Sequence, residues 1–272
     1  MTFIWQGHPV SERDKTTIWR GFVIALFVLV HLFVSVKAHA DEMIMLKTGY
    51  MTLDASGSFG AAGGLTPATR IDVDSTIRLA RSNGMTIEGA VQFGDMRAAL
   101  NYFPLDFSGD GVPGTTLQYN GQSFAAGNSV HAGLKADVYD ASLTWYLLNM
   151  DDLPARLQIG VEAAVKTVHA TSTLQDRTTG LIRSTSTTVP IPTLGARGRM
   201  AVSDFVGLTG RAGYLGYAGN HFLDSEVQME FSPLPTAGFY AGYRLVDLKV
   251  DHAGVLLDTR VSGPFVGGFV RF

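Results

Sequence analysis

Over residues 155–169 (ARLQIGVEAAVKTVH) apolar and polar positions alternate one by one. Ala155, Leu157, Ile159, Val161, Ala163 and Val165 fall on one face, and Arg156, Gln158, Gly160, Glu162, Ala164 and Lys166 fall on the other. Successive strand side chains point to opposite sides, so this period predicts a β-strand with one apolar and one ionic face. A helix would scatter Arg156, Glu162 and Lys166 around its circumference. The same period predicts strands over residues 85–93, 96–102, 194–202, 206–214, 223–231 and 237–245. A first strand at 48–59, one ending near Leu147 and a final one reaching Phe272 bring the number to about ten, with about eight if a terminal hairpin is miscounted.

Alternation throughout a chain raises the question of which face is inside. In a soluble sandwich the apolar face is the core. In a transmembrane barrel it faces lipid, and the polar face lines the interior. Strands of nine or more residues are long enough to cross a bilayer at a tilt. Connections alternate between tight (Gly94-Asp95, Ser203-Asp204, residues 232–236) and long (residues 108–128 and 171–189), as in barrels with short periplasmic and long extracellular connections. Phe93, Tyr102, Trp145, Tyr146, Phe205, Phe231, Phe239 and Phe272 sit near strand ends and suit interfacial girdles. The expected fold is all-β, an antiparallel transmembrane barrel in the outer membrane of a Gram-negative bacterium. In two strands the apolar set changes phase, after Val138 and near Leu245. A β-bulge would do this. So would strands that project past the outer leaflet, with inward apolar residues forming a small core or an apolar-ligand site in an extracellular collar.

The first forty residues differ from the rest. Arg13, Lys15 and Arg20 precede an apolar run at 21–36 (GFVIALFVLVHLFVSV), and Ala38-His39-Ala40 follows it. This order predicts a secretory signal over residues 1–40, cleaved before Asp41, with the barrel spanning 41–272. An uncleaved N-terminal anchor is the rival reading. No later run is long and apolar enough for a transmembrane helix. Charged residues make up only 17% of the chain, and the net charge of −3 gives no footprint for nucleic acid. Cysteine is absent, which removes disulfide and thiolate chemistry.

Residues 102–111 (YFPLDFSGDG), 138–148 (VYDASLTWYLL), 189–192 (VPIP), Gly242-Tyr243-Arg244 and the terminal GPFVGGFVRF resemble a family of proteobacterial outer-membrane β-barrels of unknown function, described simply as outer membrane proteins. The resemblance runs from about Gly49 to Phe272. It implies fold and location, and it brings no ligand, cofactor or catalytic residue. The terminal aromatic with apolar residues at alternate positions is shared by most such barrels. Phe272 and Val270 are therefore expected to serve as the signal recognised by the barrel assembly machinery.

The inward face is expected to carry Asp54, Glu88, Arg97, Asp140, Arg156, Glu162, Lys166, Arg197, Arg199, Arg211, Asp224, Glu226, Glu230 and Arg244. Signs are mixed, and unpaired buried charge is costly, so an ionic network is expected among Glu88, Arg97, Arg156, Glu162, Lys166, Arg197, Arg199, Arg211, Glu226 and Arg244. A barrel of this size holds side chains or one small ligand, whereas open channels need more strands. The sequence thus favours a plugged lumen and a structural or surface role. A narrow, porin-like path for small or apolar solutes is the alternative, and expected partners are membrane lipid and lipopolysaccharide.

Catalysis has weaker support. Asp251-His252, and His221 with Asp224 and Ser225, invite comparison with omptin-like proteases and lipid A deacylases. No signature of either surrounds them, and adjacent strand residues face opposite ways. No catalytic residue, cofactor or metal ligand is assigned. Residues 108–114 (SGDGVPG) lack EF-hand spacing, and 57–64 (GSFGAAGG) lacks a nucleotide-binding context. The Ser/Thr-rich residues 171–188 predict a solvated extracellular hairpin.

Overall fold

The computed structural model describes residues 43–61, 71–72, 77–150, 156–217, 219–252 and 255–272. The predicted signal over 1–40 lies outside them. The strands in chain order are β1 (Met43–Ala61), β2 (Ile71–Asp72), β3 (Ser82–Phe93), β4 (Met96–Gly111), β5 (Leu117–Tyr119), β6 (Gln122–Phe124), β7 (Val130–Met150), β8 (Leu157–Asp176), β9 (Ile182–Ala201), β10 (Val206–Tyr217), β11 (Asn220–Leu234), β12 (Ala237–His252) and β13 (Val255–Arg271). Apart from the short β2, β5 and β6, these are the ten strands of one antiparallel wall. Each pairs with its neighbour in sequence, and β13 pairs with β1 to close the barrel. Below the last bridge, Ile44 N donates to Phe272 O at 3.0 Å and Phe272 N to Ile44 O at 2.8 Å.

The alternation predicted for β8 holds from Gln158 to Lys166. Ile159, Val161 and Val165 face out, while Gln158, Glu162 and Lys166 are buried inside. Outward apolar residues recur on neighbouring strands: Leu46, Ile87, Leu143, Leu194, Val227 and Val266. Near the tight turns this surface carries Trp145 at 58% exposure, Phe205, Phe231, Phe239 and Phe272. Toward the other end come Tyr50, Tyr214 and Tyr243, also exposed, and the Tyr102–Tyr139 pair, whose ring centroids lie 5.1 Å apart. Beyond these tyrosines the outer wall turns ionic: Arg81 meets Asp54 at 2.8 Å, Lys135 meets Asp106 at 3.0 Å, and Arg260 meets Asp247 at 2.8 Å. From Leu147 to Tyr139 the outward face runs about 27 Å along the strand at ~3.4 Å per residue, or roughly 20 Å of height at a strand tilt of about 40°, close to the band of roughly 25 Å that lipid tails demand. An apolar exterior around an ionic interior is the arrangement of a membrane barrel.

Two expectations about facing are corrected. Asp54 points outward, because Lys47, Met51 and Leu53 are the buried inward residues of β1. Above the lipid band a carboxylate can face water. Tyr146, placed in a girdle from sequence, is buried inside at 3% exposure, between outward Trp145 and Leu147.

The phase changes need no bulge. The β4–β7 register runs unbroken from Met96↔Trp145 to Gly111↔Val130, so inward-facing Val130, Ala132, Ala136 and Val138 share one face with Asp140 and Thr144. The β11–β12 register is equally regular past Leu245, and the irregularities occur elsewhere, at Tyr146/Leu148 and Phe231/Leu234. Polarity reverses because the strands leave the bilayer. The tall extracellular collar has a notch on one side. Pairing between β9 and β10 ends at Leu194↔Tyr214, so among the described residues β9 above Leu194 pairs only with β8. Pro190 and Pro192 lie on that stretch, at an edge where a missing N–H does least harm.

Candidate functional site: the ion-paired lumen

Inside the barrel, polar and apolar side chains are layered. The apolar layer contains Met51, Leu53, Phe103, Phe107, Val138, Tyr240, Val261, Phe265 and Phe269. Several of these rings lie flat on the β1–β13–β12 wall because glycines line it. A Cβ at Gly49 or Gly267 would stand 2.5 Å from Tyr240 Oη, and one at Gly238 would stand 2.6 Å from Phe269 Cζ. Only hydrogen side chains allow that approach. At the extracellular end a second apolar cluster joins Leu117, Tyr119 and Phe124 of the β5–β6 hairpin to Ile77, Val130, Ala132 and Leu174. The hairpin turns through Asn120 and Gly121, both at positive φ (46° and 73°), the left-handed pair that a tight two-residue turn requires. Tyr119 Oη donates to Ser172 O at 3.2 Å, which ties this plug to β8, and burial pushes the phenol's pKa up.

Charged side chains fill the space below. Arg97 pairs with Glu88 at 2.6 Å, and Lys166 pairs with Asp140 at 2.7 Å and Asp224 at 3.0 Å. Arg244 grips Asp224 through two nitrogens, Nε at 3.0 Å and Nη2 at 2.8 Å, and its guanidinium sits 3.9 Å above the Phe103 ring. Arg211 reaches Asp140 at 3.0 Å, Glu162 and Asp224 at 3.6 Å, and Glu226 at 3.7 Å. Arg197 lies 3.5 Å from Glu162. Lower down, Lys47 meets Glu230 at 2.8 Å, with Arg199 at 3.5 Å and Arg271 at 3.6 Å from the same carboxylate. Several contacts join strands that are not neighbours in the wall: Arg211 of β10 with Asp140 of β7, Lys166 of β8 with Asp224 of β11, and Lys47 of β1 with Glu230 of β11. They span the lumen. A cavity of about 20 Å³, water-sized, lies among Lys47, Glu88, Glu226, Tyr240 and Arg244.

Of the ten network positions expected from sequence, Glu88, Arg97, Glu162, Lys166, Arg197, Arg199, Arg211, Glu226 and Arg244 lie in this interior. Arg156 does not. It precedes the first residue of β8 and is exposed, so Gln158 is the lowest buried polar residue of that strand. Asp140, Asp224 and Glu230 belong to the network as fully as the named residues. Lys47 was missed, although it follows outward Leu46 on β1; Arg271, which alternates with Val270 and Phe272 and so points inward by sequence, joins the network as well.

The histidines of the described residues sit elsewhere. His221 Nε2 lies 3.0 Å from Asp247, which also accepts from Arg260 at 2.8 Å. Asp224 is buried in the lumen and Ser225 Oγ donates to Leu245 O, so His221, Asp224 and Ser225 do not converge. His131 lies 2.9 Å from Asp110, which also meets Arg177 at 2.8 Å. The side chains of Asp251 and His252 lie outside the described residues.

The sequence matches no model of a known protein family and no curated protein. Solved structures resemble the fold. The outer-membrane protease OmpT of Escherichia coli superposes with a TM-score of 0.58 at 12% identity, over 88% of this chain and 99% of that one. The attachment invasion locus protein Ail of Yersinia pestis gives 0.37 at 10% identity over 85% and 98%, and Neisserial surface protein A gives 0.35 at 12% over 85% and 97%. With the lipid-facing belt, the closed ten-stranded wall is the fold of a bacterial outer-membrane β-barrel.

Proposed function

We propose that this barrel is a closed integral protein of the outer membrane, with an ion-paired lumen that makes it a rigid surface scaffold instead of a pore. The observation that carries the proposal is the set of buried charges joined across the lumen, Arg211–Asp140, Lys166–Asp224 and Lys47–Glu230, beneath an apolar hairpin plug. Opening a water path means separating those pairs or expelling the plug, and either leaves buried charge or apolar surface uncompensated. Lipid covers the belt, lipopolysaccharide meets the collar, and exposed Phe272 and Val270 present the assembly signal. Planar-bilayer recordings with purified protein test the proposal. Silence, or rare brief openings, is the expected record; a steady large conductance refutes a closed lumen. Peptide and lipid A turnover assays on the same preparation are expected to give no product, and turnover that survives purification refutes the scaffold role.

A further inference from the structure

The lumen charges balance in one region and not in the other. In the upper network five cations (Arg97, Lys166, Arg197, Arg211, Arg244) share the interior with five carboxylates (Glu88, Asp140, Glu162, Asp224, Glu226). At the end next to the tight turns, Lys47, Arg199 and Arg271 surround the carboxylate of Glu230. Oε1 of Glu230 accepts from Lys47 Nζ at 2.8 Å and from Gln228 Nε2 at 2.9 Å. Its Oε2 makes no hydrogen bond and lies 3.5 Å from Arg199 and 3.6 Å from Arg271. Surplus positive charge in a part-buried recess is costly unless an anion joins it.

Unfilled polar atoms line the same recess. Thr209, 6% exposed, stands opposite Arg199 on one side and Gln228 on the other, and its Oγ1 has no hydrogen-bond partner. Arg271 Nε is likewise buried and unpartnered. Gly207 faces the same carboxylate: a Cβ there would stand in ordinary contact, 3.8 Å from Glu230 Oε2. The recess is reachable from the periplasmic end, since the Arg199 side chain keeps 25% exposure and that of Arg271 keeps 15%.

We propose that this periplasmic mouth binds a phosphate-type oxyanion, held by the guanidinium groups of Arg199 and Arg271 with the Thr209 hydroxyl donating to it. Forked guanidinium donors match a tetrahedral oxyanion in a way a monatomic anion cannot use. Free phosphate and the phosphodiester of a membrane lipid share this chemistry.

The test uses the leaderless chain refolded in uncharged detergent, with folding checked by heat-modifiable gel migration. Inorganic phosphate is titrated calorimetrically at fixed ionic strength in a chloride background, against wild type, an Arg199→Gln/Arg271→Gln double variant and Arg156→Gln as a control for loss of an exposed cation. Wild type and Arg156→Gln are expected to bind phosphate alike, and the double variant at least tenfold more weakly. In a second arm, native mass spectrometry follows retention of phosphatidylglycerol from mixed nanodiscs. Retention by wild type and its loss in the double variant assign the lipid phosphodiester, and calorimetric binding without retention assigns the free ion. If the double variant fails to fold, Thr209→Val takes its place, with severalfold weaker binding expected. The proposal is overturned if wild type neither binds phosphate over chloride nor retains the anionic lipid, or if the variants bind as wild type does. Bilayer conductance does not enter this test, so the site and the closed lumen fail separately.

Discussion

Replacing Arg211 with methionine removes a buried guanidinium that lies within 3.7 Å of four carboxylates, Asp140, Glu162, Asp224 and Glu226. Breaking a buried ion pair on one side costs about 3–5 kcal/mol, because the partner charge is left without compensation. Here the loss falls at the low end. Asp140 keeps Lys166 at 2.7 Å, and Asp224 keeps Arg244 at 2.8 Å. We therefore expect about 3 kcal/mol, or roughly a hundredfold in the unfolding equilibrium. Adding Asp140→Asn restores four cations to four carboxylates in the upper network and should recover at least half of that loss, even though it deletes a second charge. Urea unfolding in phospholipid vesicles is the assay. Trp145 is the sole tryptophan after residue 40 and faces lipid, so its fluorescence reports withdrawal from the bilayer. Stability of Arg211→Met within about 0.5 kcal/mol of wild type would refute the reasoning. A double variant no better than the single one would do the same.

Other consequences can be checked with the same preparation. Gly267→Ala forces a methyl group against the Thr48 carbonyl oxygen and the Tyr240 ring and should destabilise by about 1–3 kcal/mol; equal stability of Gly267→Ala and wild type denies the tight packing. Deleting Phe272 removes both hydrogen bonds to Ile44 and an exposed aromatic ring, so less heat-modifiable protein should reach the outer-membrane fraction; wild-type yield counts against a role in closure. Asp247 lies outside the lipid band, where burial pushes its pKa up but hydrogen bonds from Arg260 and His221 outweigh it and hold the carboxyl below the ordinary aspartate value. A depressed folded-state pKa stabilises above the unfolded pKa and is lost as pH falls through the folded one. The stability difference between wild type and Asp247→Asn should thus shrink once pH drops below the usual aspartate range; a difference that survives undiminished at the acid end contradicts the assignment.

Much of this wall was legible because lipid imposes one rule on every strand. Glu162 and Lys166 declared the inward face of β8 through their spacing alone. The rule lapses where the solvent changes. Asp54 follows the apolar band of β1 on the same outward face, and a pattern read without height cannot tell lipid-facing from water-facing positions. Tyr146 lies between outward Trp145 and Leu147, so its own parity pointed inward while its aromatic character suggested the girdle. The hairpin plug carried a usable signal, Asn120-Gly121 between Tyr119 and Phe124, which was submerged in a long Gly-rich connection. Pairing between distant strands was not legible at all. Nothing local to Lys47 and Glu230, 183 positions apart, indicates that they meet.

That last pair bears on how the barrel closes. Lys47 belongs to β1, Glu230 to β11, and the β1–β13 seam is the final contact that turns a sheet into a cylinder. A one-residue slip at the seam would rotate every side chain of the incoming strand to the other face. Lys47 would then enter lipid, at a penalty of up to about 2–4 kcal/mol, while Leu46 would displace it beside Glu230. Backbone hydrogen bonding hardly distinguishes the two alignments, since either gives a complete ladder. The cross-lumen charge thus acts as a proofreader for strand alignment, rejecting a misregistered closure that the backbone alone would accept.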